Sequence, residues 1–213
     1  MATLAVYGDA NDNSEEGTTE MDAEHDPRET FRQALDQAGA AVAGMKPEQL
    51  GDRTPCSEFD VATLANHLIG AVLRAGSIAR GVPVTGMLAV SDAEPAEGWV
   101  AAYESARQAA IDAWKDDSLL AKEFVLPWAT LPGAGIVEMY GLEATLHSWD
   151  LAVATGQEHL LDDDLAAALM PIASKMLPPE HRGGEIPFAE VVPAPAGART
   201  ADQLAAFTGR RRP

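Results

Sequence analysis

The chain has 213 residues, 46% of them hydrophobic, which is enough for one domain or for one domain with a small appendage. Its formal net charge of −18 argues against a nucleic-acid partner, because phosphate contacts need clustered Lys and Arg. No run approaches the roughly 18 apolar residues of a membrane span, and the first residues lack the basic start and apolar region of a secretory signal.

The first 26 residues contain eight acidic residues and no Lys or Arg. Such a segment cannot bury enough apolar surface to offset the entropy lost on ordering. We therefore expect 1–26 to be a flexible acidic extension, with an artefact of start-site assignment as the alternative. The single cysteine, Cys56, excludes an internal disulfide and indicates a reducing cytoplasm.

Apolar residues recur at spacings of three and four along most of the remaining chain, which predicts helices. The predicted helices cover about 27–45, 58–80, 96–115, a stretch ending at 156, 162–176 and 200–208. Prolines and glycines between 119 and 135 favour a loop or a small hairpin, and 188–192 has the composition of a short strand. The predicted fold is all-α: an antiparallel four-helix bundle over 27–180, with a small α/β elaboration over 181–213.

The helix that ends at Gly156 carries polar residues in an unexpected place. At about 100° per residue, the stretch Met139–Gly156 has one broad apolar arc, and Glu143, His147 and Asp150 lie near its middle. A carboxylate at such a position costs free energy unless it is paired or bound to a metal. Because Glu143 and His147 are one turn apart, their side chains converge.

A third ionisable group lies on the apolar stripe of another helix. His67 falls between Leu64 and Ala71, on the side of the second predicted helix that faces the interior. Two histidines and one carboxylate form the ligand set of an open, catalytic Zn²⁺ site, and the same set suits Fe²⁺ or Ni²⁺. A buried core histidine beside an internal Glu–His pair is the alternative, and the residues alone leave both open.

Two segments carry a family resemblance. TPCSEFDVATLANH at 54–67 and GLEATLHSWDLAVATG at 141–156 resemble the DinB-like metal-binding bundles of actinobacteria, especially the branch with mycothiol-dependent maleylpyruvate isomerase. The resemblance implies His67, Glu143 and His147 as metal ligands, with Zn²⁺ as the first choice and mycothiol as co-substrate. LAAFTGR at 204–210 resembles the close of that branch. Phe59 departs from the Trp that the branch often carries, and the C-terminal part is shorter than the isomerase's second domain.

The resemblance implies a reaction type. A thiol that approaches a divalent cation loses its proton, and the thiolate adds to a small electrophile. Elimination of the thiol gives an isomerase, and release of the adduct gives an S-transferase. A hydrolase that activates water, a non-catalytic metal-binding protein with a stress or accessory role, and a structural bundle are the alternatives. The expected partners are the thiol and the electrophile, with no nucleic acid and no membrane, in a monomer or homodimer.

Residues near the predicted ligands carry further expectations. Asp150 lies one turn beyond His147, where it can accept a proton from the imidazole or pair with an arginine. Cys56, as the sole cysteine, is expected to be a small buried residue, with a thiol of lowered pKa near a helix start as the alternative. Trp128 is either a wall of the pocket or a plug in the core.

The C-terminal part carries two more expectations. His181 and Arg182 are candidates for contact with an anionic substrate. The three arginines at 210–212 form the one basic cluster of the sequence and are expected in a solvated tail.

Overall fold

A computed structural model describes residues 26–84, 93–127, 129–179, 182 and 189–212. The predicted acidic extension lies outside the described residues except for Asp26, as do Trp128 and His181. Asp26 caps the first helix, because its carboxylate accepts a hydrogen bond from the backbone N–H of Arg28 at 2.9 Å.

The described chain is mostly helical, and the predicted all-α class is confirmed. Its elements in chain order are α1 (Pro27–Ala43), α2 (Val61–Ala79), α3 (Trp99–Ala113), α4 (Ser118–Ala121), β1 (Glu123–Val125), β2 (Thr130–Pro132), α5 (Gly133–Thr155), α6 (Asp163–Met176) and α7 (Thr200–Phe207). Short 3₁₀ turns cover Pro47–Gln49 and Glu158–Leu160. Strands β1 and β2 pair antiparallel, with Phe124 opposite Leu131, so the small predicted hairpin is confirmed.

The C-terminal elaboration differs from its prediction. Among the described residues 189–212 there is one helix, α7, and no strand, so the α/β description is wrong for this part of the chain. Pro193 and Pro195 lack the N–H that a ladder needs. The neighbouring Val192 donates its N–H to the carbonyl of Ala206 in α7 at 3.0 Å, so this extended segment is held by a helix.

The second helix begins later than predicted. Its N-cap is Asp60, whose carboxylate accepts a hydrogen bond from the N–H of Thr63 at 2.8 Å, whereas the prediction began the helix near Glu58. The preceding turn is closed by the hydroxyl of Thr54, which lies 2.9 Å from the carbonyl oxygen of Cys56 and 2.7 Å from that of Phe59. This turn holds Cys56 and Phe59 beside the start of α2.

The contacts between helices give their relative directions. Gln37 of α1 contacts Ser148 of α5, and Ala41 of α1 contacts Gln157 just beyond α5, so these two helices run in the same direction. Arg28 at the start of α1 donates to the carbonyl of Trp114 at the end of α3, so α1 and α3 are antiparallel.

Helices α2 and α3 run in the same direction. The indole N–H of Trp114 donates to the carbonyl of Ala75, near the C-terminal ends of both helices. Antiparallel packing therefore relates the pair α1 and α5 to the pair α2 and α3, and the helices within each pair are parallel. Among the described helices, α2 alone is long and apolar enough to cross a membrane, yet 78% of that window is buried inside the protein, as in a core helix.

Gly133 begins α5 at a point where no side chain fits. A Cβ at this position would overlap the backbone carbonyl oxygen of Leu119, and it would lie 3.0 Å from the ring of Trp114. The backbone N–H of Gly133 donates to the carbonyl of Lys122 at 2.9 Å. This close approach fixes the start of α5 against α4 and the hairpin.

We predict that Gly133→Ala destabilises the protein by about 2 to 3 kcal/mol, because the added methyl group must displace backbone atoms. Gly135→Ala is the matched control in the same first turn, since its Cβ would meet only Pro132 at 3.7 Å. Urea unfolding of both variants gives the comparison. Equal unfolding midpoints for the two variants would contradict the proposed close contact.

Candidate functional site

The structure brings His67, Glu143 and His147 together. Nε2 of His67 on α2 lies 3.1 Å from Oε1 of Glu143 on α5, and the two imidazole rings meet edge to face with their centroids 4.7 Å apart. Each side chain offers one donor atom, and the three atoms lie within 4.8 Å of one another. The three residues are called the HEH cluster below.

The HEH cluster is shielded from solvent. The exposed fractions of its side chains are 6% for His67, 11% for Glu143 and 12% for His147. The ring of Phe59 covers His67 at a centroid distance of 5.1 Å. Nδ1 of His67 is buried and has no hydrogen-bond partner among the described residues, so this ring meets the cluster through Nε2 alone.

The pKa values of Glu143 and His147 are shifted in the directions that favour metal binding. Burial by itself would raise the pKa of Glu143, but the hydrogen bond from His67 and the charges of both histidines and of Arg74 outweigh it, so that pKa is lowered. The pKa of His147 is also lowered, chiefly by burial. A carboxylate beside a neutral imidazole is the state in which such side chains bind a metal.

Asp150 contacts His147 of the cluster and also pairs with an arginine. It is fully buried, and Oδ2 lies 3.1 Å from Nδ1 of His147, while Nε of Arg210 donates to both carboxylate oxygens at 3.0 and 2.9 Å. The two roles foreseen for Asp150, imidazole acceptor and arginine partner, are both present. Because Asp150 engages Nδ1, Nε2 is the nitrogen that His147 can offer to an ion.

Arg210 is a residue that the sequence reasoning missed. The expectation of a solvated tail is wrong for this residue, since its side chain is 12% exposed. Gly209, at φ +85°, turns the chain after α7, and the backbone N–H of Arg210 donates a hydrogen bond to the carbonyl of Ala205. This turn directs the segment back toward α5. The sequence did offer one signal for this pairing, because a carboxylate predicted to be buried, Asp150, needs a cation beside it. Arg212 is exposed, as expected for a solvated tail, and it pairs with Glu158 and Asp202.

A cavity of about 340 Å³ opens beside the cluster. Its walls are mostly apolar, and Glu143, His147 and Arg210 contribute polar groups. Its lining includes the side chains of Cys56, Met139, Leu142, Glu143, His147 and Arg210. The volume suits a small molecule that reaches the cluster from the side of α5 and the chain end.

Cys56 is a half-buried free cysteine, closer to the expected buried residue than to an activated thiol. Burial, followed by the charge of Asp150, raises the pKa of its thiol to about 11, so the alternative of a lowered pKa is wrong. The reason is the late start of α2, which leaves Cys56 four residues before the N-cap and outside the reach of the helix dipole. Cys56, His147 and Asp150 also place donor atoms within 4.8 Å of one another, so the thiol borders the HEH cluster.

Arg182 does not meet the cavity. Its Nε donates to the carbonyl of Leu177 at 3.0 Å, and its guanidinium stacks on the ring of Phe207 at 4.4 Å. These contacts tie α6 to α7, so the expected contact with an anionic substrate is wrong for Arg182 in the described structure.

Comparisons with known proteins place the chain in a family context. The profile of the family described as "mycothiol maleylpyruvate isomerase N-terminal domain" matches residues 31–152. Two uncharacterized proteins, from the CDC 1551 / Oshkosh and H37Rv strains of Mycobacterium tuberculosis, are each 35% identical over 188 residues, which cover 87% of this chain and 98% of each relative. No solved structure matches significantly. The family resemblance carried by residues 54–67 and 141–156 is confirmed.

We predict that Arg210→Met destabilises the protein by about 3 kcal/mol, because it leaves the charge of Asp150 buried without its arginine. Arg211→Met is the matched control: Arg211 is exposed, so its loss is expected within about 0.5 kcal/mol of zero. Urea unfolding measures both. Adding Asp150→Asn to Arg210→Met is expected to recover part of the loss, and a further loss of similar size would contradict the pairing.

Proposed function

Because this chain belongs to the mycothiol maleylpyruvate isomerase N-terminal domain family, we propose that it is a divalent-metal-dependent enzyme that uses a small thiol, mycothiol, on a small electrophile. The observation that supports this proposal most directly is the buried HEH cluster beside a cavity of about 340 Å³. The reaction is of isomerase or S-transferase type.

The donor set fits the proposed ion. His67, Glu143 and His147 would hold it through two neutral nitrogens and one carboxylate, which suits Zn²⁺ and also Ni²⁺ or Fe²⁺. When bound, the ion would supply the positive charge that favours the thiolate form of the co-substrate. These ligands come from α2 and α5, two helices whose positions are fixed by the core.

The surrounding residues have defined tasks in this proposal. Asp150 keeps His147 in one orientation, and Arg210 keeps Asp150 ionised. Met139 and Leu142 line the cavity and exclude water from the reacting sulfur. Cys56 stays a neutral thiol at its raised pKa, so it does not compete with the co-substrate as a thiolate.

The chemistry balances with the thiol and the electrophile alone. Addition forms a carbon–sulfur bond and moves the thiol proton to the neighbouring carbon of an activated double bond. Rotation about the resulting single bond followed by elimination returns the thiol and gives an isomer. Release of the adduct consumes the thiol and gives an S-transferase.

The proposal also divides the chain into two parts that form the site together. We infer a DinB-like four-helix bundle over 27–180 and an elaboration over 181–213 that closes the cavity through Arg210. The acidic segment 1–26 has no part in the site as proposed. A small-molecule thiol and a single cysteine both fit the cytoplasm.

We predict one Zn²⁺ per chain and a loss of at least about 100-fold in Zn²⁺ affinity in His67→Ala, Glu143→Gln and His147→Ala, because each removes a donor atom. His159→Ala is the control, since His159 is exposed in the 3₁₀ turn after α5. Competition with a chromophoric chelator measures the affinity. Unchanged Zn²⁺ binding in all three variants would refute the site.

We predict that mycothiol adds a sulfur-to-metal charge-transfer band to the spectrum of the Co²⁺-substituted protein, because the cavity admits the thiol beside the cluster. The S-methyl derivative of mycothiol, which cannot form a thiolate, is the control. Metal binding with no spectral response to mycothiol would leave the non-catalytic metal-binding protein as the better description. Thiol consumption during turnover would then separate a transferase from an isomerase.

A further inference from the structure

Arg74 of α2 is a buried cation with unused hydrogen-bond donors. It is 5% exposed, and in the described part of the chain its Nε and Nη2 atoms have no hydrogen-bond partner. A buried guanidinium that makes no hydrogen bonds through two of its donors carries a large desolvation cost. Such a cost points to a partner other than the described residues.

The position of Arg74 relates it to the HEH cluster. Arg74 follows His67 by seven residues on α2, which places both on the same side of the helix. Its positive charge acts on two residues of α5: it contributes to the lowered pKa of Glu143, whereas the pKa of Tyr140 is raised by burial and by the charge of Glu143, with Arg74 opposing. Neither side chain accepts a hydrogen bond from Arg74 among the described contacts, and Oε1 of Glu143 is engaged by His67.

There is space between Arg74 and His67 on α2. Gly70 lies three residues after His67 and four before Arg74, so it occupies the same side of the helix. It is half-buried, and outside the backbone of its own helix no atom lies within 4 Å of the position that its Cβ would take. This open space lies between the positions of His67 and Arg74 along α2, so a small group over Gly70 would be met by the guanidinium after a rotation of the Arg74 side chain, whose Nε and Nη2 are buried in the free protein.

The two unused donors define the ligand chemistry. Nε and Nη2 form one edge of the guanidinium, and their N–H bonds point the same way. That edge matches the two oxygens of a carboxylate, which it binds with two parallel hydrogen bonds. A lysine at this position would lack such a fork.

The charges of the proposed site also favour an anion. A divalent ion and Arg74 together exceed the single negative charge of Glu143 by two, while Asp150 and Arg210 neutralise each other. One thiolate would leave one positive charge uncompensated in a region of low dielectric constant. A second anionic group would compensate it.

We propose that Arg74 is an anion receptor that binds a carboxylate of the electrophilic substrate, over Gly70 and beside the HEH cluster. This assignment rests on the proposed function for its substrate, but the receptor itself needs no metal. Arg74 would select acids over neutral electrophiles of the same shape.

The experiment uses the full-length, metal-free protein and two probes of the same size, crotonate and its neutral analogue crotonamide. Crotonate, at about ten times its Kd, is expected to raise the thermal unfolding midpoint of the wild type by about 3 to 6 °C, with chloride at equal ionic strength as the reference. Crotonamide is expected to leave the midpoint unchanged. The Nε–H resonance of Arg74 is expected to shift on titration with crotonate.

Two variants test the residues. Arg74→Met keeps the length of the side chain without the charge, and it is expected to abolish the crotonate response while leaving the ligand-free midpoint equal to or above that of the wild type. Gly70→Leu fills the open space and keeps Arg74, and it is also expected to abolish the response. A lower ligand-free midpoint in Arg74→Met with an unchanged crotonate response would show a structural role and overturn the proposal.

The outcomes separate this inference from the proposed function. Zn²⁺ binding in the wild type without a crotonate response refutes the receptor and leaves the metal site standing. A crotonate response that depends on Arg74, in a protein that binds no Zn²⁺, refutes the metal enzyme and leaves the receptor standing.

Discussion

The structure depends on how the buried charges of α5 are compensated by partners from other elements. Three ionisable side chains, Glu143, His147 and Asp150, lie on faces of one helix that the rest of the protein covers. Burial of a carboxylate costs far more than one helix can offset by itself, so each of the two carboxylates needs a partner from another element. His67 of α2 meets Glu143, and Arg210 of the C-terminal segment meets Asp150. These two contacts place α5 between α2 and the end of the chain.

The parts of the site that sequence could predict are the local ones. Periodicity places Glu143 and His147 on one side of a helix and His67 on the inward stripe of another, because the geometry of a helix is fixed over a few turns. Arg210 was missed because its meeting with Asp150 spans 60 residues and depends on the turn at Gly209. Arg74 was missed although its spacing from His67 was visible, because a single arginine on an apolar stripe gives no sign of whether its donors are satisfied.

The fold shows the same division. The existence of the helices followed from apolar spacing, while the start of α2 was set by its N-cap, Asp60, two residues later than the predicted start. That difference of a few residues takes Cys56 out of the reach of the helix dipole. The parallel course of α1 and α5 was beyond reach from periodicity, because it follows from side-chain contacts such as Gln37 with Ser148.

Two arginines face the same region and differ in one physical respect. Nε of Arg210 donates to both oxygens of Asp150, and its Nη1 donates to the hydroxyl of Thr208, so its charge and these donors are matched within the protein. Arg74 has a buried guanidinium whose Nε and Nη2 have no hydrogen-bond partner among the described residues. A matched buried charge positions its neighbours, whereas an unmatched one costs stability in the free protein and is released from that cost only when a ligand binds. Arg210 therefore belongs to the framework of the site, and Arg74 to the part that meets a ligand.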